Sequence, residues 1–266
     1  MAKKKRKRPY TPPQTRVDEA PAPEAPRARG VSPASVARRD RKEEARRQRE
    51  AIMRRTRRAQ ILRRVIIWGV VVLGIAAVVL FFVYRAGQRS RLLDSAREIA
   101  DATNCTQPVQ EAEFGNTHED VGTPIEYSPE PPSSGNHWPV SLATEFSGQH
   151  IFDPAPDIPI AVHSLEHGWA IIWYRAEGDR ALPDEIVSAL EEVADQGEVA
   201  LIPYPEPPDD MDLSFTSWQM RQTCRVDPAQ GEPGDRELTA DDAVTLARAF
   251  IEQFRNSTLA PEAPAA

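Results

Sequence analysis

The sequence predicts a small α+β domain held outside the cytoplasm by a single transmembrane helix, and three observations predict it. The run Val65 to Tyr84, "VIIWGVVVLGIAAVVLFFVY", carries no charge. The charge is divided around that run: residues 1–64 hold 22 Lys+Arg against 7 Asp+Glu, and residues 65–266 hold 11 against 33, giving −7 overall. Beyond it, short β-branched and aromatic segments alternate with stretches of helical period, the pattern of a small mixed layer.

Residues 1–37 are rich in proline and charge and poor in large apolar side chains, so no core can form there and disorder is expected. "KKKRKR" has the look of a nuclear import signal. Ahead of a membrane span it reads as a polybasic arm held against anionic lipid headgroups, each basic residue contributing about 1 kcal/mol near the surface. Nucleic acid is not expected as a partner, because no aromatic residue interleaves the charge. Residues 38–64 read as a charged, solvated helix.

Residues 65–84 span about 30 Å as a helix, the thickness of a bilayer core, with Trp68 and Tyr84 towards the two ends. The run begins too late and is too long for a cleaved signal peptide. Arg54 to Arg64 outweigh Arg85, Arg89 and Arg91, so the positive-inside rule predicts a single-pass protein of the cell membrane with its N-terminus cytoplasmic. Residues 85–104 then form a stalk, 105–262 an extracytoplasmic domain and 263–266 a tail.

The first half of the domain is irregular and proline-rich. Trp169 to Arg175 and Val199 to Pro205 read as strands. Between them "LPDEIVSALEEVADQG" reads as a helix, with Pro183 at its start, Gly197 as its stop, and Ile186, Val187, Leu190, Val193 and Ala194 on its apolar face. A last helix opens at Thr239 and offers Val244, Ala247, Phe250, Ile251 and Phe254 to a core. Trp138, Trp169, Trp173 and Trp218 are expected in the core or in a pocket wall. Asp209, Asp210 and Asp212 are expected as solvated loop charges, since their spacing lacks the glycine and distal glutamate of a calcium loop. Cys105 and Cys224 make an even pair in an oxidising compartment, which suggests a disulfide worth about 4–5 kcal/mol in the chain-entropy model.

The five histidines, His118, His137, His150, His163 and His167, fall within one stretch of about fifty residues. "HSLEH" fits H-x-x-E-H, in which one helical face carries two metal-binding imidazoles and the glutamate serves as general base. Gly168 and a strand follow at once, so at most one helical turn is expected and peptidase chemistry is disfavoured. Two readings of the segment stand. His163 and His167 ligate a metal together with His137 from "PPSSGNHW", neutral imidazoles suiting zinc or copper and Glu166 serving as ligand, base or tautomer anchor. Alternatively, both imidazoles bond the backbone and lock the turn.

"PPSSGNHWP" followed by "VHSLEHGWAIIWY" resembles the domain of unknown function 3105 family of bacterial, often membrane-anchored proteins. The resemblance covers about Cys105 to Glu262. It implies a histidine before the loop at His118, a later Trp218, a closing Pro261-Glu262, and a shared site at His118, His137, His163, Glu166 and His167; His150 matches no motif position. It implies no reaction. The resulting expectation is a ligand- or metal-binding module with His118, His137, His163 and His167 as metal ligands. The alternatives are a metal-dependent hydrolase with Glu166 as base, or a purely structural domain of the cell envelope. No feature names a protein partner.

Overall fold

The computed structural model describes residues 33–195, 197–226 and 236–264, with side chains from Ala37 onward. The chain divides into two units, Met1–Ile75 and Ala76–Ala266. Most of the expected polybasic arm lies outside the described residues. Helix α1 (Pro33–Ala102) is unbroken. It is long and apolar enough to cross a membrane. In the first unit its charged turns are solvated and carry helix-spaced ion pairs, Arg46 to Glu50 at 3.0 Å and Glu43 to Arg47 at 3.9 Å.

The second unit is α+β, as the sequence predicts. The last turns of α1 enter its core: Ala96 and Ala100 are buried, with Leu92, Leu93 and Ile99 packed beside them. In chain order follow β1 (Val109–Gln110), α2 (Leu142–Glu145), α3 (Ile158–Glu166), β2 (Ala170–Tyr174), α4 (Asp184–Ala194), β3 (Val199–Pro203), β4 (Leu213–Ser217), β5 (Met220–Cys224) and α5 (Ala240–Phe254). The five strands make one mixed sheet in the order β1-β5-β4-β2-β3. β2 and β3 are parallel, as a strand–helix–strand crossover through α4 requires, and the remaining pairs are antiparallel.

Because side chains alternate across a strand, β2 and β3 feed two cores. Ile172, Tyr174, Val199 and Leu201 face α4, α5 and the end of α1, with Ile186, Leu190, Leu246 and Phe250 against them. Ile171, Trp173, Ala200 and Ile202 face the opposite core, built from α3 and the opening loops. All four tryptophans of the domain are buried there. The buried face of α5 is centred on Ala243, Leu246, Ala247 and Phe250, while Val244, Ile251 and Phe254 are only partly buried, so its apolar stripe is rotated slightly from the predicted one. Thr239 caps it as expected, and Asp242 reciprocates at the Thr239 N–H. Hydrogen bonds from Arg236 hold the Asp242 carboxyl well below the usual range, against the opposing effect of burial.

Three expectations need correction. Strands β4 and β5 are not apparent in the sequence because serine, threonine and glutamine occupy buried positions. Ser214 Oγ donates to the Gln222 carbonyl at 2.9 Å, and Thr216 Oγ1 accepts the Trp173 indole N–H at 2.7 Å. Asp212 is no solvated loop charge: it is wholly buried, with Arg175 at 2.9 Å and Arg180 at 2.7 Å. The third correction is α3, where "HSLEH" closes a nine-residue helix rather than a single turn. Its residues are buried from Pro159 to Glu166, so no polar face marks its period. The Cys105 and Cys224 Sγ atoms lie 2.04 Å apart, tying the segment after α1 to the end of β5.

Candidate metal centre

Two loops and one helix end bring the histidines together. The "PPSSGNHW" loop is held against the β4–β5 hairpin: the Gln219 N–H donates to the Ser133 carbonyl at 2.8 Å, and Ser133 Oγ donates to Glu111, whose carboxylate also takes Arg221. Gly135 has φ +145°, and a Cβ there would meet the Tyr127 ring at 2.9 Å, so the close approach needs glycine. Tyr127 Oη in turn donates to the Asn136 carbonyl at 2.8 Å. The strand-like bridge between His118 and His137, with the His137 N–H on the Thr117 carbonyl and the Glu119 N–H on the His137 carbonyl, places these two side chains side by side.

Helix α3 supplies the other half. Its C-terminal turn carries His163 and Glu166, and Ser164 behind them receives the Leu142 N–H at 2.8 Å. Gly168 ends the helix at φ +88°. The chain after α5 closes over this end: the Asn256 N–H donates to the Gly168 carbonyl at 2.8 Å, and the Glu262 N–H donates to the Glu166 carbonyl at 3.1 Å. Those bonds satisfy carbonyls that a helix end otherwise leaves open.

Ring centroids of His118, His137 and His163 lie 4.8–4.9 Å from one another, and His167 stacks on His163 at 4.8 Å. His137 Nδ1 lies 2.8 Å from the Gly135 carbonyl and His163 Nδ1 2.6 Å from the Trp138 carbonyl. A carbonyl only accepts, so both Nδ1 atoms carry a proton and Nε2 is the nitrogen each ring offers to a metal. His137 Nε2 is 2.9 Å from Glu166 Oε2, and His118 Nε2 is 3.9 Å from the same oxygen. The shorter contact is not aligned as a hydrogen bond; both atoms are buried and have no hydrogen-bond partner among the described residues. Two buried lone-pair atoms facing each other are costly unless a proton or a cation lies between them.

Burial pushes His163 down to about 4, helped by His137, His167 and His118 and opposed by its bond to the Trp138 carbonyl, so its imidazole is neutral at neutral pH. Ligand atoms on a tetrahedral zinc, each about 2.0–2.1 Å from the metal, stand about 3.3 Å apart. The donor atoms of His118, His137, His163 and Glu166 all fall within 4.8 Å of one another, a set that small side-chain shifts bring to that geometry. The carbonyl bonds on the two Nδ1 atoms are the outer support that metal-bound histidines usually have. Trp218 meets the His137 ring edge-on at 6.2 Å and walls the site on the sheet side.

Residues 118–265 match the family model described as "Protein of unknown function (DUF3105)", a match that starts at the first of these histidines. The chain belongs to that family. No curated protein and no solved structure matches it.

Of the residues singled out in this DUF3105 chain, His118, His137, His163 and Glu166 form one group. His167 joins His163 in a second group with Glu262, at Nε2 separations of 3.0 Å to His163 and 3.4 Å to the Glu262 carboxylate. His150 lies apart, stacked on Trp169 with Nδ1 on the Val199 carbonyl at 2.7 Å. Glu262 is absent from the ligand set expected from the sequence, and its only signal there is the closing Pro-Glu.

Proposed function

We propose that this protein is a single-pass membrane protein whose C-terminal domain binds one zinc or copper ion through His118, His137, His163 and Glu166. The observation that carries this reading is the pair of buried atoms without a hydrogen-bond partner among the described residues, His137 Nε2 and Glu166 Oε2, beside His163, whose Nδ1 is held by a carbonyl so that Nε2 is its coordinating atom. With three imidazoles, one carboxylate and no thiolate in the group, the donor set suits a borderline cation rather than calcium or an iron–sulfur cluster. The charge asymmetry around the apolar span supports a cytoplasmic N-terminus, with the basic arm on anionic headgroups and the metal-binding domain on the opposite, extracytoplasmic side.

A metal-dependent hydrolase with Glu166 as general base is the second reading. Glu166 lies inside the donor set at 2.9 Å from His137, and a carboxylate bound to the metal is not free to take a proton, which favours binding over hydrolysis. Metal analysis and calorimetry on the full chain in detergent micelles test the proposal. The expected outcome is about one ion per chain, with His137→Ala weakening affinity by about 100-fold or more. A chain that binds no zinc or copper, or binds equally well without His137, refutes it and leaves a structural role in the cell envelope.

A further inference from the structure

The two groups of candidate donors share His163, and that sharing has a chemical consequence. His163 Nδ1 is held by the Trp138 carbonyl at 2.6 Å, which leaves Nε2 as its single coordinating atom. One imidazole lone pair serves one metal ion at a time, so the inner group and the group His163, His167 and Glu262 cannot both be filled. They are alternative positions for one ion, pivoting on His163.

Their surroundings differ in a directed way. In the inner group His137 is fully buried and the Glu166 side chain is only 6% exposed, with His118, 47% exposed, at the rim; the side chains of His167 and Glu262 are 38% and 50% exposed. His167 Nε2 lies within 3.0 Å of His163 Nε2 and 3.4 Å of Glu262 Oε2. If His167 carries its proton on Nε2, a single N–H is shared between two acceptors; if on Nδ1, three lone-pair atoms face one another, an arrangement that a cation resolves. The Glu262 N–H on the Glu166 carbonyl, at 3.1 Å, holds the outer carboxylate in register with the inner one.

We infer that His167 and Glu262 form a transfer station through which a metal ion enters and leaves the inner donor set, an inference that rests on the metal-binding function proposed above. The ion is first held by His163, His167 and Glu262 at the surface, then exchanges His167 and Glu262 for His137, Glu166 and His118 while His163 stays bound. Such stepwise exchange avoids stripping the ion of all its ligands at once. A station on the path in both directions changes both rates by the same factor and leaves the resting affinity alone.

The test uses the full chain in detergent micelles, with zinc delivered from, and withdrawn by, a chromophoric chelator. His167→Gln and the near-isosteric Glu262→Gln are compared with the wild type. The expected result is uptake and release slowed together by about tenfold or more, with affinity held within about threefold. Unchanged rates overturn the inference. So does an affinity loss of about tenfold or more with uptake unaffected, which would make these residues ligands of the resting site. A wild-type chain that takes up no zinc overturns the metal-binding function and this inference together, while normal wild-type binding with unaltered variants overturns this inference alone.

Discussion

Replacing Gly168 by alanine isolates the turn that joins the metal-site helix to the sheet. Gly168 has φ +88°, a conformation that costs an alanine about 1–2 kcal/mol. A Cβ there would also collide with the Asn256 side chain and lie 3.0 Å from the Ala263 Cβ and 3.1 Å from the Asn256 Cα. Part of that obstruction is backbone, so relief requires the closing segment to move, an overpacking cost of about 1–3 kcal/mol. The total of about 2–5 kcal/mol corresponds to a Tm lower by roughly 5–15 °C for a domain of this size. Gly178 is the internal control: its φ is +87°, but a Cβ would meet nothing within 4 Å, so alanine there carries the conformational cost alone. Chemical denaturation of the two variants, followed by tryptophan fluorescence, reads the difference directly. Equal losses for Gly168→Ala and Gly178→Ala would refute the packing argument, and with it the account of how Glu262 is held over the site.

Glu166→Gln keeps the shape of the side chain but removes its charge, and should weaken zinc binding by about 10–100-fold in calorimetry while the far-ultraviolet circular dichroism stays unchanged. His163 is held below its unfolded value of 6.5, at about 4, so the unfolded chain takes up its proton first as pH falls. The metal-free domain should therefore have this contribution in full above about pH 6.5 and lose it, on the order of 2–3 kcal/mol, as pH drops through that window towards 4, measured by denaturation at fixed ionic strength. Asp242→Ala removes the carboxylate that closes the capping box of α5 and bonds Arg236, and should cost about 1–2 kcal/mol by urea titration.

Much of the architecture was legible in the residues because it rests on local signals. The uncharged twenty-residue run, the amphipathic period of α4, the Thr239 cap and the β-branched strands β2 and β3 each carry their reason within a few positions. The missed elements are those whose polar groups find their partners only after folding. Ser214 and Thr216 look like loop residues until Gln222 and Trp173 meet them, and Asp212 looks solvated until Arg175 and Arg180 close on it. Helix α3 has no polar stripe because it is covered on every side, so no period could announce it.

The candidate site divides along the same line. The sequence by itself determined the long apolar helix, the fold class and the five histidines in one stretch, since composition and short motifs need no third dimension. Only the tertiary structure decided which atoms converge: a bridge between residues 118 and 137 and a helix end at 163–166 bring four donors together and leave His150 outside. It also decided that Glu262, almost a hundred residues downstream of His167, stands beside it. The physical reason is that Nε2 lone pairs are aimed by carbonyls at the other nitrogen, and those carbonyls, at Gly135 and Trp138, are set by backbone folding that no spacing of histidines encodes.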